Sequence, residues 1–235
     1  IICTLGPAVD NEETIRQLIL GGMDAARFNF SHGTHAEQLA RLTLLKSVRD
    51  TLGRPVATIL DTKGPEIRIK SFANGSVTLE RGQTFTLSTD EVEGNENQVS
   101  VTYLNLHEEV GPGCRILVDD GLIELLVEKV EGHKILCTVE NGGPLSNNKS
   151  INIPDVSIML PSLTDKDRDD LKFAAENDFD FIAASFVRKA SDVADIRAEL
   201  SKHEGGENIR IIAKIENREG VENLESIIEA ADGIM

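Results

Sequence analysis

The feature that most constrains the fold is a strict alternation of short apolar strands with amphipathic helices. It covers residues 1–67 and resumes over residues 157–235, with six strand beginnings in all. Continuous apolar runs such as residues 56–60 are typical of parallel strands that are buried on both faces. Capping-box patterns at residues 10–13 and 34–37 indicate where two of the helices begin. The alternation predicts an open α/β sheet or most of a (β/α)8 barrel.

Residues 68–156 interrupt this alternation with short β-branched runs that are separated by turn signals. Asn74-Gly75 and Gly142-Gly143 are two of these signals. We therefore expect a small all-β domain inserted after the third strand. Because no GxGxxG segment follows the first strand, a dinucleotide-binding sheet is the weaker alternative. The expected fold is α/β, a partial (β/α)8 TIM barrel with an inserted small all-β domain.

Charge and cysteine content argue against several classes of function. The net charge is −16 and no basic cluster offsets it, which disfavours nucleic acid or an anionic membrane surface as a partner. The three cysteines are widely spaced without a CxxC pattern, which disfavours a disulfide framework or a zinc site. They are better explained as small buried residues of a protein in a reducing compartment. No apolar run is long enough to span a membrane. Because the sequence begins and stops inside strand-like segments, we expect a fragment of a longer protein.

Polar side chains recur where the predicted strands end, which is where barrel enzymes place their active sites. These side chains are Arg27, Asn29 and Ser31 after the second strand, Asp61 and Thr62 after the third, and Lys214 and Glu216 after the fifth. Residues two apart in a strand share a face, so each set is expected to point the same way. Four of these residues, which we call the oxygen group, offer a plausible site for a monovalent cation: Asn29, Ser31, Asp61 and Thr62.

The residue types indicate a reaction. An arginine such as Arg27 holds a phosphate or carboxylate through two hydrogen bonds, and a glutamate such as Glu216 binds Mg²⁺ through oxygen. Lys214 supplies a compact positive charge for a transition state that develops negative charge. Positioning and charge neutralisation are what phosphoryl transfer requires of a protein. An ion pair between Lys214 and Glu216 that only holds the barrel together is the alternative.

Five segments, in this order along the chain, resemble those of the pyruvate kinase family. They are Ile2-Cys3-Thr4-Leu5-Gly6-Pro7, Arg27-Phe28-Asn29-Phe30-Ser31-His32-Gly33, Leu60-Asp61-Thr62-Lys63-Gly64-Pro65-Glu66-Ile67-Arg68, Ser185-Phe186-Val187-Arg188 and Ala213-Lys214-Ile215-Glu216-Asn217. The resemblance covers the whole chain. It implies a barrel domain with an inserted β-rich lid domain, in a glycolytic enzyme that transfers a phosphoryl group from phosphoenolpyruvate to ADP and so yields pyruvate and ATP.

The resemblance also implies roles for individual residues. Arg27 contacts the transferring phosphoryl group, Lys214 stabilises the enolate of pyruvate, and Glu216 binds Mg²⁺. The oxygen group, with Thr62 acting through its carbonyl, binds K⁺. Glu66 matches the relatives that need K⁺, because relatives with lysine at that position supply the charge themselves.

Nucleotide contacts are implied for Asn29, Arg68 and Lys149. Arg68 follows a Gly-Pro turn and reads equally well as a solvated strand end, and Lys149 lies in a polar stretch where an exposed lysine is usual. His32 receives no assigned role, and Ser185 is read either as lining the pocket or as a small residue packed in the barrel.

In the family, the strand that begins at Asp232 continues into an Ala-Arg-Gly-Asp segment that supplies a second Mg²⁺ carboxylate. With Glu216 alone, Mg²⁺ should bind weakly, and we expect the chain by itself to have no measurable turnover. A metal-dependent lyase or aldolase acting on pyruvate enolates, and a non-catalytic truncated chain, are the alternatives. For the full-length enzyme the resemblance implies a cytoplasmic homotetramer that binds phosphoenolpyruvate, pyruvate, ADP and ATP.

Overall fold

A computed structural model of the protein describes residues 1–154, 156 and 158–235. Its strands, in chain order, are β1 (Ile2–Leu5), β2 (Ala25–Asn29), β3 (Ala57–Asp61), β4 (Ile67–Arg68), β5 (Ser76–Leu79), β6 (Thr84–Ser88), β7 (Gln98–Ser100), β8 (Arg115–Val118), β9 (Ile123–Glu131), β10 (Lys134–Asn141), β11 (Gly143–Ser146), β12 (Ser150–Asn152), β13 (Phe181–Ala184), β14 (Arg210–Ala213) and β15 (Gly233–Ile234). Its α-helices are α1 (Glu12–Leu20), α2 (His35–Leu52), α3 (Leu106–Glu109), α4 (Asp165–Glu176), α5 (Ala190–Leu200), α6 (Arg218–Glu222) and α7 (Leu224–Ala230). Short 3-10 helices cover Pro7–Val9 and Gly206–Asn208.

The chain divides into two compact units. The α/β unit comprises Ile1–Pro65 and Pro161–Met235, and the β unit comprises Glu66–Leu160. The sequence prediction placed the divisions at 67/68 and 156/157, and residue 157 lies outside the described residues. The chain therefore leaves the α/β unit at one proline and returns to it at another.

The α/β unit contains a sheet of six parallel strands in the order β1-β2-β3-β13-β14-β15. Each strand pairs with the next strand of this unit along the chain, as expected for strands joined by helical crossovers. The sheet curls into part of a barrel, which confirms the predicted fold class. The register places Asn29 beside Asp61 and Asp61 beside Ala183, so the carboxyl ends of β2, β3 and β13 lie at one edge.

The aromatic side chains of the second strand segment point into the core of this unit. Phe28 is fully buried and Phe30 is 2% exposed. The ring of Phe28 lies 5.4 Å from that of Phe179, and the ring of Phe30 lies 5.5 Å from that of Phe173. Burying one phenylalanine side chain contributes about 1.5–3 kcal/mol. The alternation of polar and aromatic residues in this segment therefore separates a core face from a face that is free for chemistry.

Helix starts agree with the sequence in one case and differ in another. Thr34 and Glu37 form the predicted capping box at the start of α2. The predicted box at residues 10–13 is wrong by one position, because Asn11 caps α1 through a hydrogen bond from the Thr14 N–H. Among the described residues, no helix combines the length and apolar character needed to cross a membrane.

The apolar residues Val221, Leu224, Ile227 and Ile228 have the spacing of one helix and predict one from the sequence, but the structure has two short helices, α6 and α7, which meet at Asn223. The side chain of Asn223 donates to the Arg188 carbonyl oxygen at 2.9 Å, which fixes the junction between the two short helices. As a result Ile227 is buried, whereas Val221 is 60% exposed and Ile228 is 51% exposed. The predicted apolar face is therefore split.

The β unit contains a sheet of seven strands in the order β4-β12-β8-β9-β10-β6-β7 and a two-stranded sheet of β11 and β5. Its pairs are antiparallel except for β6 with β7. The four-residue helix α3 is the one departure from an all-β unit among its described residues. A separate apolar core, which includes Phe85, Leu87 and Cys137, fills this unit. Each unit therefore has its own core.

Candidate active site at the strand ends of the α/β unit

A buried carboxylate lies at the centre of the site. Asp61 ends β3 and is 2% exposed. Its Oδ2 lies 2.5 Å from Nε of Arg27, and its Oδ1 lies 3.0 Å from Nζ of Lys214. Two cations from β2 and from the end of β14 thus share one carboxylate. Because a buried charge is costly unless it is paired, this arrangement explains why an aspartate is tolerated here.

Arg27 is oriented from both sides. Besides its contact with Asp61, its Nη1 donates to the Thr4 hydroxyl at 2.8 Å, and Thr4 is its neighbour across β1 and β2. The Arg27 side chain remains 26% exposed, so part of the guanidinium is accessible. Sequence reasoning missed Thr4, because its neighbour across the sheet depends on the strand register.

Lys214 and Glu216 are close, as their spacing predicted. Nζ of Lys214 lies 3.4 Å from Oε1 of Glu216, and Lys214 is 13% exposed while Glu216 is 35% exposed. The other carboxylate oxygen, Oε2, accepts the Phe186 N–H at 2.9 Å. Phe186 has a φ of 57°, in the left-handed region that an aromatic residue rarely adopts. Backbone strain of this kind clusters at functional sites. Here the strained residue directs its N–H to Glu216, which is more exposed than Asp61, the other carboxylate of the site.

Ser185 lies at the site, where the sequence had left open whether it lines the pocket or only packs in the barrel. It follows β13, is 8% exposed, and its hydroxyl lies within hydrogen-bond distance of the Thr62 carbonyl oxygen and of Oδ1 of Asp61. Its N–H donates to the Thr62 hydroxyl at 3.2 Å. Ser185 therefore links β13 to the end of β3. A small polar residue directly after a buried strand was the signal that could have identified it.

The oxygen group lies at two adjacent strand ends. Asn29 and Asp61 are register neighbours, and the Phe30 N–H donates to the Asp61 carbonyl oxygen at 3.0 Å. Oδ1 of Asn29 accepts the Ser31 N–H at 2.9 Å, which forms a local turn. Thr62 is 4% exposed, whereas Ser31 is exposed. The structure thus brings the four residues to one edge, as predicted, although both carboxylate oxygens of Asp61 already face cations.

The two predicted nucleotide contacts of the β unit are neighbours. Arg68 on β4 pairs in register with Ser150 on β12, directly after Lys149. Nε of Arg68 lies 2.6 Å from Oε2 of Glu66, and Nζ of Lys149 lies 2.9 Å from Oδ1 of Asp119. Both basic side chains are about one-third exposed. They are therefore accessible cations that are each neutralised by a carboxylate.

The donor set of the α/β site suits hard cations. The formal charges of Arg27, Lys214, Asp61 and Glu216 sum to zero, so an anionic substrate would bring an excess of negative charge. Carboxylate, amide, hydroxyl and carbonyl oxygens are the ligands that Mg²⁺ and other hard cations prefer. Within the described part of the chain, no group of three or more His, Cys, Asp or Glu residues is arranged to hold a metal ion. Glu216, with one oxygen on an N–H and a third of its side chain exposed, is the carboxylate best placed to bind one.

The whole chain, residues 1–235, matches the family model of the pyruvate kinase barrel domain. The chain belongs to the pyruvate kinase family.

Three relatives show how much of a pyruvate kinase this chain represents. It is 48% identical over 236 residues to the pyruvate kinase of Clostridium acetobutylicum, with 100% of this chain and 50% of that protein covered. The corresponding enzyme of Staphylococcus saprophyticus is 49% identical over 237 residues, with 100% and 40% covered. That of Clostridium perfringens is 47% identical over 236 residues, with 100% and 50% covered. The chain thus spans half or less of the length of these pyruvate kinases.

Proposed function

We propose that the protein carrying this chain transfers a phosphoryl group from phosphoenolpyruvate to ADP, giving pyruvate and ATP in glycolysis. The observation that carries the proposal is the convergence of Arg27, Asp61, Lys214 and Glu216 at one edge of a partial barrel, in a chain of the pyruvate kinase family. This arrangement provides one accessible guanidinium, one shielded ammonium and one accessible carboxylate. Those are the groups that positioning and neutralising a phosphoryl group require.

Arg27 and Lys214 have different roles in this proposal. Arg27 binds and orients the phosphoryl group with the exposed part of its guanidinium, which Thr4 and Asp61 hold in place. As a terminal oxygen of ADP bonds to phosphorus, the bond from phosphorus to the enol oxygen breaks and its electron pair stays on that oxygen. Lys214 stabilises the resulting negative charge. Because the Lys214 side chain is only 13% exposed, this electrostatic stabilisation is stronger than it would be in water. The enolate carbon then takes up a proton to form pyruvate.

Mg²⁺ and K⁺ are the proposed cofactors. Glu216 would hold Mg²⁺, and the oxygen group would hold K⁺ with Thr62 acting through its carbonyl oxygen. When bound, these cations supply the positive charge that the four balanced side chains lack toward an anionic substrate. The residues present fit this purpose, because Glu216 is an accessible hard carboxylate and the oxygen group adds the buried carboxylate of Asp61 to the neutral oxygens of Asn29, Ser31 and Thr62. Glu66 remains the sequence feature that favours a requirement for K⁺.

Asn29, Arg68 and Lys149 are the proposed nucleotide contacts. Arg68 and Lys149 already donate hydrogen bonds to the carboxylates of Glu66 and Asp119, respectively. To bind a phosphate as well, each would have to divide its N–H donors between that carboxylate and the phosphate. Charge-assisted hydrogen bonds to phosphate are strong enough for such sharing. We also propose that the full-length protein is a cytoplasmic homotetramer, as the family resemblance implies.

The test is to incubate the full-length protein with phosphoenolpyruvate and ADP, and to measure ATP and pyruvate together. We expect equal amounts of both products, and loss of both when Mg²⁺ is chelated or when K⁺ is replaced by tetramethylammonium. A protein that forms no ATP but joins or cleaves carbon–carbon bonds of pyruvate derivatives would be a lyase or aldolase, and the proposal would be wrong.

A further inference from the structure

A buried glutamine lies behind the turn that carries half of the oxygen group. Gln38 on α2 is 3% exposed. Its Nε2 donates to the carbonyl oxygens of Asn29 and His32, each at 3.0 Å. The turn's own hydrogen bond, from the His32 N–H to the Asn29 carbonyl oxygen, is longer at 3.4 Å. The amide of Gln38 therefore supplies the shorter bonds that hold this turn.

The orientation of the Gln38 amide is fixed from its other side. Its Oε1 accepts a hydrogen bond from Nη1 of Arg41 at 3.0 Å, and Arg41 is 8% exposed. Arg41 in turn pairs with Asp10 through two hydrogen bonds, one of them 2.6 Å between Nη2 and Oδ2. Because a guanidinium only donates, the oxygen of Gln38 must face Arg41 and the NH₂ group must face the turn. The network Asp10–Arg41–Gln38 thus leaves the amide a single useful orientation.

We propose that Gln38 is a positioning residue for the monovalent cation: by clamping the carbonyl groups of Asn29 and His32, it holds the oxygens of Asn29 and Ser31 in the geometry that binds K⁺. The inference rests on the proposed function. Asn29 and Ser31 are neutral members of this cation site, so what they contribute depends on their arrangement before the ion arrives, because neither carries a charge that draws the ion in. Partners that orient ligands typically change cation affinity by about 10–100-fold when they are removed.

Two variants separate the clamp from simple packing. Gln38→Met keeps the length and most of the volume of the side chain but removes the amide. Gln38→Glu keeps an oxygen for Arg41 and removes the two N–H donors. Gln17→Met is the matched control, since Gln17 is an exposed residue of α1 whose amide contacts Glu13.

The full-length variants are compared in two measurements. The first is the K⁺ concentration that gives half-maximal activity, together with kcat and the KM for phosphoenolpyruvate at saturating K⁺. The second is the rise in Tm on adding KCl instead of tetramethylammonium chloride at equal ionic strength, which reports binding without turnover. For both Gln38 variants we expect half-saturation to need about tenfold more K⁺. We also expect a smaller rise in Tm at intermediate K⁺, with kcat and KM close to wild type once K⁺ is saturating.

Several results would overturn the inference. One is a folded Gln38→Met or Gln38→Glu protein with wild-type K⁺ dependence in both measurements, or an equal effect of Gln17→Met. Another is loss of the fold in both Gln38 variants, which would make Gln38 a core residue. A wild-type protein that makes ATP without K⁺ would refute the cation site itself, and one that makes no ATP would refute the proposed function. These failures are therefore distinguishable.

Discussion

Asp61 and Lys214 form an ion pair across an intervening strand. Asp61 ends β3 and Lys214 follows β14, while β13 lies between them in the sheet, yet Oδ1 and Nζ are 3.0 Å apart. Neighbouring strands are spaced about 4.8 Å, so the two backbones are separated by roughly twice that distance. Side chains close such a gap where the sheet curves toward them. The site therefore depends on the curvature of the sheet as much as on the residues themselves.

Replacing Lys214 by methionine removes the shielded positive charge and keeps most of the side-chain volume. We expect kcat of the full-length enzyme to fall by about 10²–10³-fold, because the role proposed for this charge is to stabilise negative charge as it develops. The KM for phosphoenolpyruvate should change little. Steady-state kinetics at saturating Mg²⁺ and K⁺ measure both.

Lys172→Met is the control for this variant, since Lys172 is an exposed helix residue paired with Glu176. It should leave kcat and KM unchanged. A Lys214→Met enzyme with a higher KM and an unchanged kcat would make Lys214 a ground-state binding residue.

Gly64 is required by both its backbone and its surroundings. It has a φ of +69°, and an added Cβ would lie 2.8 Å from Cβ of Ser185 and 2.9 Å from its carbonyl oxygen. Gly53 has a similar φ of +61° but nothing within 4 Å. Gly53→Ala should cost about 1–2 kcal/mol from the backbone alone. Gly64→Ala should cost about 1–3 kcal/mol more from overpacking.

Urea denaturation of the two variants gives this difference directly. Gly64→Ala should also lower activity, because Ser185 contacts both Asp61 and Thr62, whereas Gly53→Ala should not. Equal losses of stability in the two variants would show that Ser185 leaves room for a Cβ at position 64, which would contradict the prediction.

The Glu199 carboxylate links stability to pH. The side-chain hydrogen bond from Lys202, at 2.8 Å, and a second from Arg168 hold the pKa of Glu199 below its usual value of 4.5. A lowered pKa in the folded state means that this contribution to the free energy of unfolding is present above about pH 4.5. It is lost as the pH falls through the folded pKa.

We therefore expect the free energy of unfolding to fall more steeply with decreasing pH in wild type than in Glu199→Gln below about pH 4.5. Glu204→Gln, at an exposed position, is the control and should follow wild type. Unfolding free energies from urea titrations between pH 3 and pH 6 measure the effect, which is about one proton at most. Parallel curves for wild type and Glu199→Gln would contradict the assignment.

Cys137 should resist alkylation in the native protein. It is fully buried on β10, and burial raises the pKa of its thiol to about 12. Since the thiolate is the reactive form, iodoacetamide at pH 8 should label the partly buried Cys3 and Cys114 well before Cys137. Peptide mass spectrometry, with a guanidinium-unfolded sample as the control in which all three react, makes the comparison. Rapid native labelling of Cys137 would show that the β unit opens readily.

The sequence was sufficient for the alternation of strands and helices in the α/β unit but not for every boundary. Long runs with a clear period, such as α2 and the strands of the α/β unit, were predicted because their burial follows from local pattern. The break at Asn223 was not, because it depends on a hydrogen bond to Arg188, which is 35 residues away. The shift of the first helix cap to Asn11 arises from a choice between two adjacent residues that both suit the role.

The candidate site shows the same division. Residues at strand ends were identified because parallel strands end at one edge, and this applies to Asp61 and Lys214, whereas Arg27 lies within β2, two residues before its end. Thr4 depends on the strand register and Gln38 on the contacts of a buried amide, and neither can be read from one segment alone, whereas Ser185 carries a local signal. The sequence therefore supplies charged groups more readily than the neutral groups that orient them.

Asp167 has one further consequence for how this chain is built. One oxygen of its carboxylate accepts the Thr164 N–H and hydroxyl at the start of α4, while the other accepts the Gly64 N–H at 2.9 Å. A single fully buried side chain thus fastens the place where the polypeptide departs from the barrel to the place where it rejoins, 103 positions later. Because these hydrogen bonds join the two ends of the insertion within the α/β unit itself, the segment between Pro65 and Pro161 can vary in length or sequence while the two ends stay together.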